Sequence, residues 1–63
     1  MNAYATMKKL IDTLNRKFDE GRVSEAEYTE TAATYAKRID VFYGVGRMSD
    51  EQYNELIASI KTF

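Results

Sequence analysis

An all-α fold, a three-helix antiparallel bundle built as two overlapping helix-turn-helix hairpins, is what this 63-residue sequence predicts. Three observations carry that expectation. Apolar residues recur in steps of three and four through three stretches, the spacing that lines one face of a helix. The octapeptide Gly21-Arg22-Val23-Ser24-Glu25-Ala26-Glu27-Tyr28 returns as Gly46-Arg47-Met48-Ser49-Asp50-Glu51-Gln52-Tyr53, with Gly, Arg, Ser and Tyr in matching places. Proline is absent and no stretch alternates with period two, so strands are not expected.

Each copy of the octapeptide reads as a helix stop followed by a helix start. Glycine suits a left-handed residue that closes the preceding helix. Ser24 and Ser49 stand three residues ahead of Glu27 and Gln52, the capping-box spacing: hydroxyl and side-chain carbonyl each satisfy a free backbone amide. Val23 and Met48, just before the caps, are placed to meet Tyr28 and Tyr53 at the fourth helical position, as in a hydrophobic staple. Sliding the chain by one repeat also matches Leu14 to Ile39, Phe18 to Tyr43 and Glu30 to Glu55. Reuse of good caps by short hairpins accounts for this more simply than a functional duplication.

The chain reads as one domain over 1–63, with helices over about 3–20, 25–43 and 50–62. The first carries Tyr4, Met7, Ile11, Leu14 and Phe18 on one face, with Leu10 widening it. The second carries Tyr28, Ala32, Tyr35, Ile39 and Phe42, while Ala33 and Ala36 flank the stripe and permit close approach of a neighbour. Glu25, Glu27 and Glu30 near its start and Lys37 and Arg38 towards its end complement the helix dipole; Gly44 and Gly46 terminate it. The third lines up Tyr53, Leu56, Ile57, Ile60 and Phe63, which ties down the chain end. Short connections make successive helices antiparallel neighbours. Near-heptad spacing in the first two stripes also permits a self-associating hairpin that dimerises along a coiled-coil seam.

A chain of this size buries only about 60% of its unfolded surface, so its core is small. No cysteine or histidine is present, which removes disulfide and structural-zinc support. Charged residues make up 30% and apolar residues 44% of the chain, a globular rather than a disordered balance. A net charge of −1 gives no overall field for nucleic acid or an acidic membrane. The wholly apolar runs are too short for a membrane span or a signal-peptide core. A chain that begins at Met1 without cysteine fits the cytoplasm.

Neutral-pH catalysis needs a group titrating near seven or an activated nucleophile, and a thin bundle encloses no pocket of about 300 Å³. The expectation is therefore no enzyme, no cofactor and no metal. Asp19, Glu20, Glu25 and Glu27 gather acid around the first turn but lack the residue order of a calcium loop. Lys8, Lys9, Arg16 and Lys17, continuing to Arg22, form a short basic stripe on the first helix. The third helix, which a three-helix DNA reader would present, begins with Asp50, Glu51 and Glu55 and repels phosphate. Direct nucleic-acid binding and membrane association are not expected.

Aromatic residues are the unusual feature: Tyr4, Tyr28, Tyr35, Tyr43 and Tyr53 with Phe18, Phe42 and Phe63. Tyr28 and Tyr53 are expected at the core edge with wet hydroxyls. Because Phe42 occupies the stripe, Tyr43 is expected to face outward beside Val45. Exposed aromatics with arginine nearby, here Arg38 and Arg47, have the composition of protein-binding hot spots. Phe42, Tyr43, Val45, Arg47 and Arg38 are thus the candidate protein-contact residues.

The run from Leu10 to Tyr28 resembles the short helical domain called SHOCT, found at bacterial protein ends and linked to oligomerisation. Gly21, Val23, Ser24, Glu27 and Tyr28 match that pattern; Gly46, Met48, Ser49 and Tyr53 match in part, with Gln52 where Glu is usual and Lys17 where a leucine is expected. Small phage tail-region proteins of the XkdX-like kind show similar spacing. The resemblance implies a protein-protein interaction or oligomerisation module, binding itself or a larger protein. So short a chain beginning at its own methionine suits a bacterial or phage accessory protein. The alternative is a phage-encoded inhibitor of a host defence or nucleic-acid machine, of the anti-CRISPR type, acting by surface occlusion. Glu20, Glu25, Glu27, Glu30, Asp50, Glu51 and Glu55 would then engage a basic channel.

Overall fold

Two glycine-to-serine turns divide the chain, and the computed structural model, which describes residues 2–63, shows how each does it. Helix α1 spans Ala3–Asp19, α2 spans Glu25–Gly44 and α3 spans Asp50–Ser59. Gly21 and Gly46 are the residues with positive φ, +74° and +80°, a conformation that an L side chain strains to adopt. At the first turn the Gly21 amide donates to the Phe18 carbonyl (3.0 Å) and the Arg22 amide to that of Lys17 (2.9 Å). At the second, Gly46 donates to Tyr43 (3.1 Å) and Arg47 to Phe42 (2.9 Å). Both are Schellman closures, which satisfy carbonyls that a helix end leaves free.

The serines then open the next helix by the expected reciprocal pairs. Ser24 Oγ accepts from the Glu27 amide (3.1 Å) while Glu27 Oε1 accepts from the Ser24 amide (3.0 Å). Ser49 and Gln52 repeat this at 3.1 and 3.0 Å. At the start of α1, Asn2 caps by accepting from the Ala5 amide at 2.7 Å.

Three helices with apolar stripes and short connections close into an all-α three-helix bundle, up-down-up. The inter-helix contacts fix the directions. Along α1, Lys8 faces Glu55 (3.8 Å), Asn15 faces Ser59 (3.0 Å) and Asp19 faces Lys61 (3.8 Å), so α3 runs parallel to α1. Asp40 of α2 meets Tyr53 of α3 (2.8 Å) and Tyr28 meets Lys61 (2.8 Å), so those two are antiparallel. The interior is one set of Met7, Ile11, Ile39, Met48 and Leu56 and another of Leu14, Tyr28 and Ala32. Half-buried Tyr35 and Ile60 pack against both sets and join them. Each fully buried large side chain contributes about 1.5–3 kcal/mol relative to exposure. The staple partners lie where the spacing puts them: Val23 packs with Tyr28's set and Tyr53 with Met48's.

Four sequence expectations need correction. Helix α3 stops at Ser59 rather than 62, because Ile60 turns extended (φ −80°, ψ 127°) and the Lys61 amide donates to the Tyr28 hydroxyl at 2.8 Å instead of to a helical carbonyl. Phe63 therefore lies off the helical face, its ring 5.0 Å from Phe18 and 5.5 Å from Tyr28. Helix α2 continues through Gly44, leaving Gly46 to make the turn, so Lys37 and Arg38 fall outside the last turn, where the dipole acts. Finally, the Tyr28 hydroxyl is not wet. Tyr28 is 0% exposed; its hydroxyl donates to Asn15 Oδ1, and the Asn15 amide donates to the Ser59 carbonyl at 3.0 Å. Among the described residues no buried side-chain polar atom lacks a partner.

Two stability predictions follow from these bonds. Tyr28→Phe keeps the ring but strands the Lys61 amide and Asn15, so chemical denaturation should show a loss of about 1–3 kcal/mol; a loss below about 0.5 kcal/mol would show the hydroxyl is dispensable. Glu27 is held below the usual carboxyl range by its bonds to the Ser24 amide and then hydroxyl. Its contribution is thus present above the ordinary value of 4.5 and lost as pH falls through the lower folded value. Because Gln52 does not titrate, Glu27→Gln should abolish the acid dependence arising at the caps, read as thermal melts across the acid range.

Candidate contact surface

Four of the five tyrosines turn out to be ties between helices. Tyr4 of α1 donates to Glu55 of α3, and Tyr28 of α2 to Asn15 of α1. Tyr43 near the end of α2 donates to Asp50 at the start of α3, and Tyr53 of α3 donates to Asp40 of α2 at 2.8 Å. Tyr43 and Tyr53 also stack, with centroids 4.5 Å apart and planes inclined by 29°. Much of the aromatic excess therefore serves the bundle itself, which changes the weight of each candidate contact residue.

Phe42 is half-buried and packs on the Met7–Ile39 set. Tyr43 is exposed by only 38% and is held by Tyr53 and Asp50, so it is not a free ring. Val45 is the open residue, at 65% exposure. Arg47 is exposed in the turn and Arg38 is exposed on α2. Val41, which sequence reasoning missed, is 63% exposed and lines a shallow apolar depression of about 220 Å³ with Lys37, Arg38 and Phe42. The signal was present: position 41 falls off the stripe through Ile39 and Phe42, where a β-branched residue slightly lowers helix propensity without the core packing that would offset it. Arg38, Val41 and Val45 follow one another by three and four and so share a side of α2. The structure thus brings together Arg38, Val41, Phe42 and Val45.

A second apolar depression of about 450 Å³ runs between α2 and α3, lined by Thr29, Ala33, Ala36, Ile57 and Phe63 among others. Ile57, expected on the core stripe, is 37% exposed there. Helix α3 is short, and Leu56 and Ile60 already supply its inward side.

The acidic residues do not make one surface. Glu20 pairs with Arg22, Glu27 caps α2, Asp50 accepts from Tyr43, and Glu55 accepts from Tyr4 and pairs with Lys8. Glu25 and Glu30 start α2, whereas Glu51 starts α3 at the opposite end of the bundle, because the two helices are antiparallel. The basic stripe is partly neutralised in the same way, Lys8 by Asp12 (3.9 Å) and Glu55 and Arg22 by Glu20. Among the described residues no three acidic side chains converge as a metal-ion site, and no helix is long and apolar enough to cross a membrane. Comparison with protein-family models, with curated proteins and with solved structures finds no match to this chain.

The carboxylate partners push the phenols of Tyr4, Tyr43 and Tyr53 above their ordinary value of 10.0, each chiefly through its hydrogen bond to Glu55, Asp50 and Asp40 respectively. A phenol with a raised folded value stabilises the fold fully below about 10 and loses that contribution as pH rises through the folded value. Tyrosinate absorbance should therefore rise late, together with loss of helical signal. Tyr53→Phe should remove one late-titrating group; three groups titrating at the ordinary value in the folded protein would contradict the ties.

Proposed function

We propose that this chain is a non-catalytic protein-interaction or oligomerisation module whose contact surface is the C-terminal half of α2 and the Val45 cap that follows it, with Val41 and Val45 at its centre and Arg38 and Phe42 beside them. The observation that carries this is the exposure of the two valines, 63% and 65%, on one side of a well-capped helix. Neither side chain contributes to the core sets, and exposed valine is a poor choice for a helix on its own account. Covering such a patch removes apolar area from water at about 25 cal/mol per Å². Arginine at its edge adds the planar, weakly hydrated cation that protein contacts favour.

Several features support a binding rather than a chemical role. The chain has neither histidine nor cysteine. The larger depressions are open grooves along helix surfaces, and the tyrosines with shifted titration are shifted away from neutrality. The likeness of Leu10–Tyr28 to the SHOCT pattern points the same way.

The reading is tested at the valines themselves. Val41→Ala with Val45→Ala should leave unfolding free energy within about 0.5 kcal/mol, as for surface positions. A benzophenone amino acid at position 45 should cross-link a second polypeptide in cells that make the protein, whereas one at Lys9, on α1, should not. A stability loss well above that figure would make the valines structural; equal or absent cross-linking at both positions would remove the proposed surface.

A further inference from the structure

The outward face of α2 continues this patch towards the N-terminus. Ala26, Glu30, Ala33, Lys37 and Val41 recur in steps of four, three, four and four, one stripe on the side of the helix away from Tyr28, Ala32 and Ile39. All five are exposed. The stripe has a direction: acid before its middle, base after it, and alanine at the crossing. Among the described residues neither Glu30 nor Lys37 takes part in an ion pair.

We propose that this face is the seat of a second copy of the same chain, paired α2 against α2 in antiparallel fashion about a two-fold axis near Ala33 and Thr34. The inference rests on the interaction reading above and names its partner. Charge complementarity selects the arrangement. A parallel pairing sets Glu30 against Glu30 and Lys37 against Lys37. Reversing one copy about the Ala33–Thr34 peptide instead sets each Glu30 against the other copy's Lys37, twice by symmetry, and aligns the helix dipoles favourably. The same reversal brings small Ala26 opposite protruding Val41 at both ends. Ala33 lets the helix axes approach closely at the centre, and the groove beside it admits side chains of the second copy against Ala36 and Ile57. An interface at the lower end of the stable range needs about 600 Å² from each copy. The whole chain exposes 4363 Å², so about a seventh of it is enough.

Sedimentation equilibrium of the full chain at low ionic strength tests the register. Wild type should dimerise, and Glu30→Lys or Lys37→Glu alone should each weaken the dimer about tenfold by placing like charges together. An equimolar mixture of the two variants should recover wild-type affinity, because both contacts are then again opposite in sign. The double variant Glu30→Lys/Lys37→Glu should recover it as a homodimer. Melting at low protein concentration checks that each variant folds. A chain that remains monomeric to about 1 mM, or a dimer indifferent to these exchanges, overturns the second-copy assignment. In either event a cross-link from position 45 to a different polypeptide would still uphold the broader reading, and absence of any cross-link would remove both.

Discussion

One hydroxyl group holds the three helices in register. Tyr28 rises from the first turns of α2 into the interior, where its oxygen donates to Asn15 of α1 and accepts from the Lys61 amide just beyond α3. Asn15 in turn takes the Ser59 carbonyl. A buried polar cluster is expensive unless every member is satisfied, and here the described side-chain atoms all are. In the arrangement that satisfies them α2 returns along α1, and the residue after α3's cap bonds to the same oxygen. Apolar stripes bring three helices together but tolerate sliding; this cluster does not.

The tail shows how that constraint overrides helical propensity. Ile60 and Phe63 continue the spacing of α3, and nothing in Lys61 or Thr62 forbids a helix. The competing bond from the Lys61 amide to the Tyr28 oxygen, together with tilted and edge-on contacts of Phe63 with Phe18 and Tyr28, takes the place of another turn of helix. A short third helix follows. So does the exposure of Ile57, whose side of α3 has no further turn to pack with.

What could be read from the residues alone divides along the same line. The capping pairs of both turns were legible, because serine and the residue three places on act locally and Ser24 and Ser49 reach only their own helices; the second stop was less so, since two glycines compete for it and only Gly46 takes the positive φ. The stripes were legible because periodicity is local too. Asn15 was not, since a single amide on an otherwise polar position carries no periodic signal and acquires meaning only opposite Tyr28. The carboxylate partners of Tyr4, Tyr43 and Tyr53 were hidden for the same reason. The expected wet hydroxyl of Tyr28 and outward ring of Tyr43 therefore missed their partners, while Val41, a β-branched residue off the stripe, was under-read. Of the candidate contact residues, Arg38, Arg47 and Val45 are exposed, Phe42 is half-buried, and Tyr43 is held against Tyr53 and Asp50.

The same redistribution decides which residues of so small a chain are left free for the contact surface we propose. A core of this size supplies only about 3–5 kcal/mol, so every exposed apolar residue competes with the interior for a limited apolar complement. The bundle resolves the competition by using tyrosine twice, ring inward and hydroxyl to a neighbouring helix, so that α1 and α3 are held by both packing and hydrogen bonds. Helix α2, the longest of the three, then has an outer face that makes no contribution to the core sets. It is there that valine and alanine stand between Glu30 and Lys37, which take no ion-pair partner among the described residues. Residues released from folding in this way are the ones whose identity needs an external cause, and complementary charge along a reversible stripe is a cause that a second copy supplies.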